Sequence, residues 1–130
     1  MRQMAIWIDH QEARVFHVTD ATFEETTIPS PAHHFHRHPK SDDTKIRNHP
    51  QDEPHFFDNV VRALADAEEI LIMGPSVTKL HFLRYAQQHA PGVASRVMGI
   101  ETADHPTDRQ LVAHIRHYFG TERPRLGTST

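Results

Sequence analysis

The first thirty residues alternate between short apolar runs and polar turns, a pattern typical of antiparallel strands. Residues 5–8 and 13–18 are apolar runs rich in β-branched and aromatic side chains, and a polar turn separates them. Residues 22–28 alternate only weakly and carry Glu24 and Glu25, as an edge strand facing water does. We therefore predict a β-hairpin followed by a third strand at the edge of the sheet.

Helical and strand patterns alternate in the second half of the chain. Residues 69–73 form a continuous run of strand length, as in a strand covered on both faces, whereas the flanking segments repeat their apolar side chains at helical spacing. Ser76 is placed to cap the second helix, and Thr107 with Gln110 has the capping-box pattern. The predicted elements are a helix whose apolar repeat begins at residue 56, with Asp52 or Glu53 near its start, a strand over 69–73, a helix after Ser76, a strand over 96–100 and a helix over 107–119.

This order, β-β-β-α-β-α-β-α, predicts an α/β domain. Three antiparallel strands followed by strand–helix alternation give a mixed five-stranded sheet with helices on both faces. The same order is found in the ribonuclease H-like fold. We expect a single domain over residues 1–120, in which 29–55 is a His-rich loop, and a flexible tail over 121–130.

Composition narrows the chemistry that the domain can perform. The chain has 130 residues, a formal net charge of −3 with His neutral, 13 His and no Cys. The absence of Cys excludes disulfides, a thiol nucleophile and thiolate metal sites, and it fits a reducing cytoplasm. No apolar run approaches the roughly 20 residues of a membrane span. The many His make the net charge change strongly just below neutral pH.

The His are concentrated in one segment, because six of the 13 lie within residues 33–55. In extended backbone, alternate side chains point to one side, so three of the first four imidazoles face the same way. Neutral imidazoles in such an arrangement bind Zn, Ni or Cu. The alternative is an exposed loop without a specific metal. The candidate ligands are His33, His34, His36 and His38.

Two groups of residues are candidates for contact with RNA or the ribosome. Within the His-rich loop, four basic residues outnumber two acidic ones, and an aromatic ring is available to stack on a base. After the strand at 69–73, a turn, a hydroxyl and an ammonium group form a possible phosphate contact, although a tight turn with a surface Lys explains them equally well. The candidates are Phe35, Arg37, Lys40, Lys45, Arg47, Ser76 and Lys79.

Three carboxylates allow a nuclease hypothesis. Nucleases with a ribonuclease H-like fold hold Mg²⁺ with an Asp of the first strand and with further carboxylates. Here Asp9 follows the first strand, and Glu101 and Asp104 follow the last. The alternative role of Asp9 is turn formation, with its carboxylate accepting hydrogen bonds from nearby N–H groups. The segment from Asp104 to Thr107 is either an acid/base pair with His105 or a rigid entry to the last helix.

Four segments together resemble a family of small bacterial proteins related to peptide-chain release factors of archaea and eukaryotes. They are WIDH with EAR within 7–14, EEILIMGP at 68–75, Lys79 with Phe82, and ADHPT at 103–107. The resemblance extends to the central domain of these factors and of Pelota, and it implies a ribonuclease H-like fold and a link to translation. In release factors the corresponding insertion carries a Gly-Gly-Gln motif. This sequence contains none, so the resemblance implies binding to the ribosome or RNA rather than peptide release.

Overall fold

The computed structural model describes residues 2–19, 21–30 and 52–122. Its strands and helices are β1 (Gln3–Ile8), β2 (Glu12–Val18), β3 (Phe23–Pro29), α1 (Asp52–Ala63), β4 (Glu69–Gly74), α2 (Thr78–His89), α3 (Pro91–Ala94), β5 (Val97–Thr102) and α4 (Asp108–His117). A π-helical turn, Tyr118–Glu122, extends α4. None of the described helices is long and apolar enough to cross a membrane.

The five strands form one mixed sheet in the order β3-β2-β1-β4-β5. The pairs β1–β2 and β2–β3 are antiparallel, whereas β1–β4 and β4–β5 are parallel. The carboxyl ends of β1, β4 and β5 therefore meet at one edge of the sheet, which we call the carboxyl edge. The arrangement confirms the predicted five-stranded, ribonuclease H-like α/β fold.

The central strand β1 separates two hydrophobic cores. Because side chains alternate across a strand, Ile6 and Ile8 point toward α1 and α2, whereas Ala5 and Trp7 point toward α4. All six residues of β4 are buried. Helices thus cover both faces of the sheet, as predicted.

Some element boundaries differ from the prediction. Helix α1 begins at Asp52, one of the two residues predicted near its start, so it includes the end of the predicted loop over 29–55. The turn after α4 continues past residue 120 to Glu122. The prediction that Ser76 caps α2 is wrong, because Val77 occupies the N-cap position and no side chain caps it. Ser76 lies one residue too early for its hydroxyl to serve as the cap. The capping box of Thr107 and Gln110 is present at the start of α4.

The parallel pairing of β1 and β4 requires glycine at position 74. A Cβ atom placed on Gly74 lies 2.3 Å from the carbonyl oxygen of Ile8, which belongs to the neighbouring strand. A backbone atom in a paired strand cannot move aside as a side chain does. Gly74 therefore allows β4 to end close against β1 at the carboxyl edge.

We expect Gly74→Ala to lower the free energy of unfolding by about 1–3 kcal/mol, the usual cost of forcing extra atoms into a packed interior. Urea denaturation followed by circular dichroism measures this change. Gly92→Ala is the matched control, because a Cβ there meets nothing within 4 Å. Its free energy of unfolding should change by no more than about 1 kcal/mol, in the stabilising direction. Equal stability of the two variants would contradict the role assigned to Gly74.

Candidate functional site

Asp9 closes the turn that follows β1. The residue is 7% exposed, and its Oδ1 atom accepts hydrogen bonds from the backbone N–H groups of Gln11 and Glu12, at 2.9 and 3.0 Å. The N–H group of Asp9 itself donates to the carbonyl oxygen of Glu12. Such turns form because a short carboxylate reaches the amides two and three residues ahead. The structure thus confirms the predicted turn-forming role of Asp9.

The second oxygen of Asp9 faces His105 at the carboxyl edge. Nε2 of His105 lies 3.7 Å from Asp9 Oδ2, and Nδ1 lies 3.2 Å from Oδ1 of Asp104. The imidazole therefore lies between two carboxylates, one buried and one almost fully exposed. When protonated, it is attracted to both, although screening by water keeps such exposed pairs weak.

Trp7 fixes the segment that carries His105. Its indole N–H donates to the carbonyl oxygens of Ala103 and Asp104, at 3.1 and 3.0 Å, and its ring centroid lies 5.1 Å from that of His105. The guanidinium of Arg14 also lies over the Trp7 ring, 5.5 Å from the centroid. A side chain of the central strand thereby positions the chain between β5 and α4.

Lys79 stabilises the turn between β4 and α2. The residue is 8% exposed, and its Nζ donates to the carbonyl oxygen of Ser76 at 2.6 Å. Across the same edge, the N–H of Ala103 donates to the carbonyl oxygen of Gly74 at 3.0 Å. Two predicted RNA-contact residues, Ser76 and Lys79, thus lie at the edge that holds Asp9 and His105. Ser76 is exposed, whereas the ammonium of Lys79 is directed to the backbone.

The structure places the three candidate nuclease carboxylates in different surroundings. Asp9 accepts amide hydrogen bonds, and the side chain of Asp104 is 95% exposed beside His105. Glu101 turns toward α4, where its Oε1 lies 2.6 Å from Nε2 of His114. Among residues 2–19, 21–30 and 52–122, no group of three or more His, Asp or Glu side chains is arranged to hold a metal ion.

The pairing of Glu101 with His114 is not evident from the sequence. This pair lines a cavity between the end of β5 and the first turns of α4. A weak signal was present, because Leu111 and His114 lie three residues apart and therefore share a helix face. Which strand residue meets that face depends on where α4 crosses the sheet.

A shallow groove between α1 and α2 provides a second polar surface. Tyr85 forms its aromatic wall, with its ring centroid 5.6 Å from that of Phe57, and the exposed side chains of His81 and Arg84 line it. Partial burial and the nearby carboxylate of Asp58 raise the pKa of Tyr85. Its phenol can donate a hydrogen bond at neutral pH, as an unperturbed Tyr does. An aromatic ring beside a guanidinium suits a nucleic acid.

The candidate residues of the His-rich segment lie outside the described part of the chain. They are Phe35, Arg37, Lys40, Lys45 and Arg47 for RNA, and His33, His34, His36 and His38 for metal. Their roles, including a Zn site, stay predictions. The residue before this segment is described: Ser30 is buried, and its N–H donates to the carbonyl oxygen of Gln11 at 2.9 Å. Residue 30 is therefore fixed beside the Asp9 turn, at the carboxyl edge.

Comparison with known proteins identifies the fold. No family model and no curated protein matches the sequence. Among solved structures, Pelota of Archaeoglobus fulgidus matches 90% of this chain and 31% of its own, with a TM-score of 0.65 and 15% identity. Pelota of Thermoplasma acidophilum matches 94% and 33%, with a TM-score of 0.61 and 23% identity. An archaeal translation termination factor matches 92% and 35%, with a TM-score of 0.60 and 11% identity.

The chain is thus an α/β domain with the fold shared by part of Pelota and part of a translation termination factor. It spans about a third of the length of each of these proteins. The likeness covers the sheet and its helices, and at these identities it establishes the fold alone.

We expect Asp9→Ala to lower the free energy of unfolding by about 1–3 kcal/mol, because two amide donors in a partly buried turn lose their acceptor. Asp9→Asn should cost much less, since the amide oxygen of Asn accepts the same two hydrogen bonds. Urea denaturation at constant pH measures both changes. If the Asn variant is as unstable as the Ala variant, the negative charge facing His105, rather than the turn, is what matters.

Proposed function

We propose that this chain is a small translation-associated factor that binds the ribosome or RNA. The observation that carries the proposal is the fold match, which covers 90% or more of the chain in Pelota and in an archaeal translation termination factor. We also propose that the chain belongs to the bacterial family of release-factor-like proteins that its sequence motifs resemble. Such a factor works in the cytoplasm, where translation takes place.

The proposed contact surface combines the His-rich segment with the carboxyl edge of the sheet. The segment begins after Ser30, whose backbone is fixed to Gln11 at that edge. Helix α1 follows the segment and leads to β4. Because the first residue of β4 lies at the opposite edge of the sheet, α1 runs away from the carboxyl edge. Ser30, the last described residue before the segment, therefore lies at the same edge as the exposed Ser76.

Charge supports this choice of surface. The chain as a whole carries a formal charge of −3, yet residues 33–50 contain four Arg and Lys against two Asp. The groove between α1 and α2 adds Arg84 and His81 beside the ring of Tyr85. Local positive charge with aromatic rings is the combination that binds phosphates and stacks on bases, even in a protein of net negative charge.

The proposed role is binding rather than peptide release. The five glycines stand at separate positions, so no Gly-Gly pair exists anywhere in the chain. The Gly-Gly-Gln motif of release factors therefore has no counterpart in this sequence. The carboxylates Asp9, Glu101 and Asp104 each have a separate environment, which favours a binding module over a metal-dependent nuclease.

We expect the protein to co-sediment with ribosomes at low salt and to dissociate as salt rises, because contacts with phosphates release counterions. The double variant Arg37→Gln/Arg47→Gln should bind several-fold more weakly at the same salt. The slope of log affinity against log salt should fall by roughly 1 to 2, in line with two lost phosphate contacts.

The matched control is Arg2→Gln/Arg96→Gln. It removes the same charge from the residues that precede β1 and β5, at the opposite edge of the sheet. This variant should retain wild-type association. No association of the wild-type protein at any salt would overturn the proposal, and equal losses in both double variants would overturn the choice of surface.

A further inference from the structure

A cavity of about 300 Å³ lies between the carboxyl end of β5 and the amino-terminal half of α4. Its accessible apolar lining includes Ala103 and Pro106, which are both partly exposed, whereas the lining residues Met73 and Leu111 are buried. Its polar groups come from Glu101, Gln110 and His114. An apolar cavity with a few convergent polar groups is the usual form of a small-ligand site, and this volume is at the lower end of the range for such sites.

The carboxylate of Glu101 is held in a fixed position. Its Oε1 lies 2.6 Å from Nε2 of His114, and an ionised carboxylate only accepts hydrogen bonds, so Nε2–H is the donor. The carboxylate is one-third exposed, at 32%, which leaves it accessible from the cavity. It has acceptor capacity beyond this one bond, because two oxygens offer about four lone-pair sites. The cavity therefore presents a negatively charged hydrogen-bond acceptor in a fixed position.

The amide of Gln110 presents the opposite kind of group. In the capping box, its Oε1 accepts the backbone N–H of Thr107 at 2.9 Å, and the hydroxyl of Thr107 accepts the backbone N–H of Gln110. The oxygen of the amide is thus committed to the start of α4. The NH₂ group, with two donor hydrogens, is the other half of an amide that lines the cavity.

From these groups we infer that the cavity binds one guanine base. The Watson–Crick edge of guanine carries two adjacent N–H donors, which match the two oxygens of Glu101, and a neighbouring carbonyl, which matches the NH₂ of Gln110. The flat ring packs against the partly exposed apolar lining at Ala103 and Pro106. Bases that are not paired in a duplex are recognised in this way, by stacking and by hydrogen bonds to that edge.

Other flat groups fit the same cavity less well. A guanidinium has donors but no acceptor, so the amide donor of Gln110 finds no partner on it. Adenine and cytosine each offer one amino group beside a ring nitrogen that carries a lone pair. That lone pair would face the negative carboxylate of Glu101, which is unfavourable. Guanine therefore gains the most from this pair of side chains. The inference concerns the face of the sheet covered by α4 and does not depend on association with ribosomes.

The test is a binding titration with 5′-GMP, with 5′-AMP and 5′-CMP as competitors of the same charge. The fluorescence of Trp7 reports the titration, because its indole is bonded to the carbonyl of Ala103, a residue that lines the cavity, and it is the only Trp in the sequence. We expect 5′-GMP to bind at least tenfold more tightly than the other two. Equal affinity for all three nucleotides would overturn the inference.

Two variants and a control separate recognition from folding. Glu101→Gln should weaken 5′-GMP binding about 10- to 100-fold, the effect of losing hydrogen bonds to a charged group. Gln110→Glu keeps a capping box, since Glu also closes it, but replaces the amide donor with a second negative charge and should abolish binding. Glu24→Gln makes the same chemical change on the exposed edge strand and should leave binding unchanged. Unchanged 5′-GMP binding in both cavity variants would place the ligand elsewhere and refute the inference.

A second titration distinguishes the source of the base. A pentauridylate whose central nucleotide is replaced by guanosine is compared with the all-uridine oligonucleotide. If the guanosine oligonucleotide binds more tightly than the all-uridine one, the site accepts a base within an RNA strand. If 5′-GMP binds and the oligonucleotide does not, the site is one for a free nucleotide. Both results support recognition of guanine, and failure of both ligands refutes it.

Discussion

Strand β1 determines most of this structure, because it is paired on both sides and covered on both faces. It pairs antiparallel with β2 and parallel with β4, and its alternate residues enter the two cores. Trp7 of this strand also contacts residues outside the sheet. Its indole N–H donates to the carbonyl oxygens of Ala103 and Asp104 and so fixes the segment that carries His105. At the carboxyl end of β1, Asp9 closes the turn that leads to β2, and Gly74 of β4 lies close against Ile8.

The features that the sequence predicted are those governed by short-range rules. The alternation in the first strands, the Asp9 turn and the capping box of Thr107 each depend on residues at most a few positions apart. Helix boundaries were less predictable, because the N-cap of α2 depends on which residue first adopts helical backbone angles. That residue is Val77, one position after the predicted cap, Ser76.

The contacts that the sequence could not predict join distant segments. Glu101 meets His114 because α4 crosses the sheet at a particular place, and no local pattern sets that position. Lys79 was a candidate for contact with RNA, with a tight turn as the alternative, and its charge and spacing fit both. Its nitrogen donates to the carbonyl of Ser76, an orientation that only the packing around the turn decides. Residue type and spacing therefore identify candidate residues, whereas the side chains that they contact are known only from the three-dimensional structure.

The anchoring of Ser30 to Gln11 has a consequence for how this domain can diversify. Among the described residues, the sheet and both cores join residues 2–30 to residues 52–122, and the hydrogen bond at Ser30 holds the end of β3 to the turn after β1. Closing a chain loop costs only about 0.6 kcal/mol more for each doubling of its length. A change in the number of residues between Ser30 and Asp52 therefore adds little to the entropic cost of closing the chain. Variation in length is thus inexpensive at the point where the two halves of the domain are joined.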